Sequence, residues 1–156
     1  MKIGFTIGKF APFHAGHEYL INTAIQEMDE FYVIIYDTPQ FNISIEKKTN
    51  WIKSKFPTVK ILYAYNSPKQ YGLDEESIQI QMKYLSEIIK NIPVNHFYSS
   101  EEYGYHVAKY LNIKNVLVDK KRINIPISSS EIRNNIEKYR KYLNDNVYYD
   151  LLNSNM

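Results

Sequence analysis

The sequence predicts an α/β fold: a five-stranded, mostly parallel sheet with helices on both faces. Short runs rich in β-branched and aromatic residues alternate with longer segments whose apolar residues recur at helical spacing. Alternation of this kind builds right-handed βαβ units, whose strands need cover on both sides. In addition, small residues and cations gather at two strand-to-helix junctions, one near each end of the chain.

The elements follow in order. Strand Ile3–Ile7 precedes a helix over Glu18–Met28, where Tyr19, Leu20, Thr23, Ala24 and Ile25 mark one face. Strand Phe31–Tyr36 leads to helix Ile45–Phe56, and strand Val59–Tyr63 leads to helix Glu75–Ile89. Within the latter, Ile78, Met82, Leu85 and Ile89 form a stripe. Strand Asn95–Tyr98, helix Glu101–Leu111 and strand Asn115–Val118 complete the alternation. Pro39, Pro68 and Gly72 make loops of Thr38–Asn42 and Asn66–Leu73. Asp74 suits an N-cap before Glu75 and Glu76, and Ser99 with Glu102 and Ser128 with Glu131 fit the S-x-x-E capping box. The tyrosine-rich stretch Glu137–Leu152 reads as one or two short helices. No repeat or linker divides the chain, so one domain over residues 1–156 is expected.

Composition narrows the function classes. Of 156 residues, 44% are hydrophobic and 23% charged, as in an ordinary globular protein. Net charge is only +2 with scattered basic residues, which favours neither nucleic acid nor an anionic membrane as partner. The absence of cysteine removes disulfides, thiolate metal sites and a Cys nucleophile. No apolar run approaches the roughly 20 residues of a membrane span, and no signal core follows Met1, so a cytoplasmic protein is expected.

The first junction is Gly8-Lys9-Phe10-Ala11-Pro12-Phe13-His14-Ala15-Gly16-His17, directly after the first strand. In an open α/β sheet ligands collect beyond the carboxyl ends of the strands. Gly8 permits a turn or close backbone approach, and Gly16 lets an anion near the start of the helix. His14 and His17 share a face if that helix begins near Ala15. Imidazole donors, with Lys9 adding charge, suit the equatorial oxygens of an attacked phosphorus; the competing account makes His14 and His17 solvent-exposed or capping residues. A zinc site would need further ligands, and only His96 and His106 remain among the histidines. The second junction is Ile127-Ser128-Ser129-Ser130-Glu131-Ile132-Arg133. Ser128 as N-cap leaves the N–H groups and hydroxyls of Ser129 and Ser130 for a phosphate, and Arg133 lies one turn in. A well-capped helix with a surface arginine is the competing account of that segment alone.

Together, Gly-x-Phe-x-Pro-x-His-x-Gly-His and Ile-Ser-Ser-Ser-x-x-Arg resemble the signature pair of the HxGH nucleotidylyltransferase superfamily. Ser130 stands where the late motif usually has threonine, which keeps the hydroxyl. The resemblance implies a Rossmann-like nucleotidylyltransferase fold in which a substrate phosphate attacks an NTP at its α-phosphorus and pyrophosphate leaves. It places His14 and His17 on the NTP phosphates, with His17 nearest the α-phosphate, and Ser129, Ser130 and Arg133 on the β and γ phosphates. It implies magnesium held through the triphosphate, with no protein metal cage. Further segments resemble the adenylyltransferase domain of bacterial bifunctional NMN adenylyltransferase/ribosylnicotinamide kinases. These are Phe10–Phe13, Trp51-Ile52 through Phe56-Pro57, Ser99–Gly104, Val107-Ala108, Leu111, Val118-Asp119, Arg122, and Ile132–Asn134 with Tyr139 and Tyr142-Leu143. That likeness implies ATP and nicotinamide mononucleotide (NMN) as substrates and NAD as product. No G-x-x-x-x-G-K-[ST] occurs, so no kinase activity is expected. The family's proline-and-tryptophan pattern after Arg133 is replaced by Asn135-Ile136 and Arg140, and Lys48 stands nearest the expected arginine before Trp51.

Alternatives remain at several positions. Other phosphorylated acceptors, such as glycerol phosphate, phosphopantetheine or a sugar or phosphonate precursor, with ATP or CTP, fit the same phosphate site. So does a nucleotide sensor without chemistry. Trp51 is either a ring stacked on the acceptor base or a core anchor beside Ile52 and Phe56, and Tyr84 and Tyr103 face the same choice. Asp119 and Arg122 are either substrate contacts at the sheet edge or partners of each other. The tyrosine-rich tail covers a nucleotide, forms a homo-oligomer surface, or packs.

Overall fold

The computed structural model describes residues 1–69, 72–101, 103–119 and 121–153, without the side chain of Tyr103. Strands β1 (Ile3–Gly8), β2 (Glu30–Tyr36), β3 (Lys60–Ala64), β4 (His96–Ser99) and β5 (Lys114–Leu117) form one sheet, in the order β3-β2-β1-β4-β5. All four pairings are parallel, with Gly8 opposite Ile35 and Phe5 opposite Phe97. The chain winds outward from β1 to β3 and then restarts on the other side of β1. The strand order therefore reverses between β1 and β4, where a crevice opens beyond the carboxyl ends.

Helices α1 (Ala15–Glu27), α2 (Ile45–Lys55), α3 (Glu75–Ile89), α4 (Tyr103–Leu111), α5 (Ser129–Asn134) and α6 (Asp145–Leu152) cover the sheet. Alternate residues of β2 serve opposite faces, as a strand period of two requires. Phe31, Val33 and Ile35 pack with Leu20, Ile21, Ala24, Trp51, Ile52, Val147 and Leu151 from α1, α2 and α6. Ile34 points the other way, to Phe5 and Phe97, where Met82, Leu85, Ile89 and Val107 from α3 and α4 close the second core.

Element types match the sequence expectation, and the differences lie at the ends. Helix α1 starts three residues earlier than the apolar stripe suggested, because His14 caps it. Asp74 caps α3 by accepting the Ser77 N–H at 3.1 Å. Ser128 accepts the Glu131 N–H at 3.3 Å and donates its hydroxyl to the Glu131 carboxylate at 2.9 Å. The capping box expected at Ser99 and Glu102 falls outside the described residues. Ser99 ends β4, and its hydroxyl donates to the Glu101 carbonyl at 3.2 Å. A 3-10 turn, Pro39–Phe41, occupies the loop after β2, and another, Arg140–Tyr142, precedes α6.

Candidate active site

The two signature segments meet on one cavity of about 470 Å³ at the switch point. Its wall includes Gly8, Lys9, Phe10, His14, Gly16, His17, Ser128, Ser129, Ser130 and Arg133, together with Ser99, Ser100, Glu101, Gly104, Asp119 and Arg122. Helix α5 is fastened to the first segment by two side chains. Ser129 donates its hydroxyl to the Pro12 carbonyl at 3.1 Å, and Arg133 donates to the Ala11 carbonyl at 2.5 Å. The Ser129 hydroxyl proton, read from sequence as a phosphate donor, is thus a tie between segments.

The histidines organise themselves. The Gly16 N–H donates to His14 Nδ1 at 3.0 Å, while the His14 N–H donates to His17 Nδ1 at 3.1 Å. This reciprocal arrangement is a capping box made of imidazoles. Each Nδ1 accepts a backbone proton, so in the neutral ring the proton sits on Nε2, which becomes a donor. The rings stack at 3.8 Å, and Phe10 and Phe13 lie 4.7 and 5.9 Å from His17. Burial, then the Arg122 charge, lowers His14 from 6.5 to about 4. His17 is pushed well below its ordinary range by burial, then by His14 and Arg122. Both rings are therefore neutral at physiological pH.

The glycines make room for rings. A Cβ on Gly16 would lie 2.8 Å from His14 Cε1, and one on Gly8 would lie 3.1 Å from Phe10 Cζ. Gly16 thus leaves space for the His14 imidazole, and its N–H is spent on capping rather than on an anion. At Gly104 a Cβ would stand 2.1 Å from Ser99 Oγ, so α4 can sit close against β4 only with glycine there.

Asp119 and Arg122 shape the opposite wall. The Asp119 carboxylate accepts N–H groups from Ile123 and Asn124 at 2.9 Å and from Ile125 at 2.8 Å. Those bonds, led by Asn124, hold its pKa below the usual carboxylate value. Arg122 donates to the Ile127 carbonyl at 2.6 Å and stands 4.0 Å from Glu101. Asp119 therefore ties up the backbone of its own loop, while Arg122, whose charge also helps to keep Asp119 ionised, stands within ion-pair range of Glu101. Phe10, Asp119 and Arg122 all have positive φ, at 47°, 51° and 52°. For residues with side chains this backbone conformation is uncommon, and three of the six such residues among those described line this cavity.

A second cavity, of about 500 Å³, adjoins the first beyond β2 and β3 and shares Lys9, Tyr36 and Glu101 with it. Asp37, Thr38, Gln40, Asn66, Ser67, Lys69 and Gln81 contribute polar groups to its lining.

Two sequence candidates lie elsewhere. Trp51 is 1% exposed and donates its indole N–H to Asp150 of α6 at 2.7 Å, so it is a core anchor and not a stacking platform. Tyr84 donates its hydroxyl to the Tyr65 carbonyl at 2.5 Å, packs on the second core and borders neither cavity. The Tyr103 side chain lies outside the described residues. Sequence reading missed Phe41, whose ring lies 4.1 Å from the Arg133 guanidinium carbon. Its only signal was an aromatic residue in a proline-marked loop at the carboxyl end of a strand.

Residues 4–73 match the family model of the citrate lyase ligase C-terminal domain. Over 160 residues the chain is 32% identical to the trifunctional NAD biosynthesis/regulator protein NadR of Escherichia coli (strain K12), an alignment covering 90% of this chain and 38% of that protein. The chain thus spans less than two fifths of that relative. Among solved structures, a NadR protein in complex with NAD and AMP-PNP superposes with a TM-score of 0.65 at 23% identity, covering 92% of this chain and 44% of that one. A bifunctional NMN adenylyltransferase/ADP ribose pyrophosphatase from Francisella tularensis gives 0.69 at 19% identity, over 97% and 49%. These solved structures share the α/β fold of the chain, with its five-stranded parallel sheet. Along nine tenths of its length the chain is homologous to one part of NadR.

Proposed function

We propose that the chain transfers the adenylyl group of ATP to the phosphate of NMN, giving NAD and pyrophosphate. The observation that carries this reading is the convergence of His14, His17, Ser130 and Arg133 on one cavity, which adjoins a second and shares Lys9, Tyr36 and Glu101 with it. Homology to NadR supports a place in NAD biosynthesis.

The chemistry needs positioning and charge stabilisation. A phosphate monoester has its second pKa at about 6, so at neutral pH it is already a dianion and needs no strong base. As it attacks, charge spreads over the equatorial oxygens of the α-phosphorus, while the β-phosphate departs in line. The Nε2–H groups of His14 and His17 are fixed donors that add no titrating charge near neutrality. Lys9, Arg122 and Arg133 supply the positive potential, and Arg133 stays charged although burial lowers its pKa. Asp119, with three backbone N–H groups on its carboxylate, is poorly disposed as a metal ligand, and no cluster of three ligating side chains occurs among the described residues. Magnesium held through phosphate oxygens of the triphosphate is what the family resemblance implies.

The test is pyrophosphate release and NAD formation with ATP, magnesium and NMN. Both are expected. Turnover with other phosphorylated acceptors and none with NMN would replace the acceptor, and exclusive use of CTP would remove the NAD reading.

A further inference from the structure

Helix α2 carries one residue at odds with its surroundings. Its buried stripe is Ile45, Lys48, Trp51 and Ile52, and Lys48 is 0% exposed. A leucine or methionine would fill the same space without burying a charge, which costs free energy unless well bonded. The ammonium reaches under the carboxyl end of β2. There it donates to the Tyr36 carbonyl at 2.9 Å and to the Thr38 hydroxyl oxygen.

Those two acceptors bracket Asp37, which lines the second cavity. Tyr36 ends β2 and borders both cavities. Thr38 is itself 2% exposed, bridges to Ile43, and accepts the Phe41 N–H at 3.1 Å to start the 3-10 turn. The turn delivers Phe41 beneath the Arg133 guanidinium in the first cavity. One ammonium thus fastens the wall common to both cavities. Burial, opposed by Asp37 and reinforced by Lys9, brings its pKa down to about 8.

We infer that Lys48 is a positioning residue: through the Tyr36 carbonyl and the Thr38 hydroxyl it sets the wall against which the acceptor's phosphate is held for attack. This rests on the adenylyltransferase reading above.

The experiment compares wild type, Lys48→Met and Thr38→Val by steady-state kinetics and by amide hydrogen exchange. Lys48→Met is expected to raise the NMN KM about tenfold while the ATP KM stays within about twofold. Its Asp37–Phe41 amides should exchange about tenfold faster, with β1 amides unchanged. Thr38→Val, which keeps the charge and loses one acceptor, should move the same quantities by about threefold. An unchanged NMN KM in folded Lys48→Met overturns the proposal, and so does an equal rise in both KM values. If Lys48→Met does not fold, Thr38→Val decides alone, and wild-type values there overturn it. If wild type makes no NAD, the functional reading fails separately. Exchange then decides the structural part alone: faster Asp37–Phe41 amides sustain Lys48 as the fastening of that wall, and unchanged protection overturns it.

Discussion

The two signature segments hold their shape by different means. The first, residues 8–17, is largely self-supporting: His14 and His17 bond to backbone within three residues, and Phe10 and Phe13 wall them in. The second, residues 127–133, caps its own helix through Ser128 but takes its place from the first, through Ser129 to Pro12 and Arg133 to Ala11. On the adenylyl-transfer reading proposed above, the fixed donors would sit in the self-supporting segment and the grip on the leaving group in the docked one.

That contrast can be broken most forcefully at His17. His17→Ala removes a donor whose position is locally fixed, and kcat is expected to fall by about a hundredfold or more. ATP binding measured by calorimetry should stay within about threefold, since other phosphate contacts remain. A variant with near wild-type kcat would contradict the role given to the imidazole.

Arg133→Ala acts on docking and grip together. The ATP KM is expected to rise about tenfold or more, and thermal unfolding should occur at lower temperature because the Ala11 carbonyl loses its partner. Unchanged KM with lowered stability would leave Arg133 a purely structural tie.

A pH experiment sharpens the same comparison. His14 has a native pKa of about 4 against 6.5 when unfolded, so the unfolded state binds the extra proton between those values. Stability should therefore fall as pH drops from 6.5 towards 4, by about 3 kcal/mol from this group, and level off below. His17 acts in the same direction. In nitrogen NMR of the unliganded protein, both rings should remain neutral and protonated at Nε2 at pH 6. Titration of either near 6.5 would contradict this.

Ser129→Ala is the mildest probe. Losing its bond to the Pro12 carbonyl should cost about 1 kcal/mol in chemical denaturation, with a smaller effect on turnover than Arg133→Ala. The double variant should be non-additive, since both side chains hold one docking contact.

The alternation of strands and helices was legible because periodicity reports burial directly, as the opposed faces of β2 illustrate. The pairing of the two signatures was legible only through resemblance, since no local rule says that residues 11 and 133 meet. What escaped depended on distant partners. Trp51 had two readings until Asp150, 99 residues away, supplied an acceptor for its N–H. Asp119 was expected to meet Arg122 or a substrate, yet its acceptors were taken by the backbone turning behind it. Lys48 stands out in the sequence only as the cation nearest an expected arginine, although it also lies in register with Ile45, Trp51 and Ile52 on the apolar stripe of α2. What could not be read was the carbonyl and hydroxyl that make its burial tolerable.

The central claim is that one triphosphate is shared by both segments. A crystal structure with a non-hydrolysable ATP analogue and magnesium tests it most directly. The account requires phosphate oxygens at about 3 Å from His17 Nε2 and, on the same nucleotide, from the Arg133 guanidinium. A nucleotide whose phosphates reach only one of them, or neither, would contradict it.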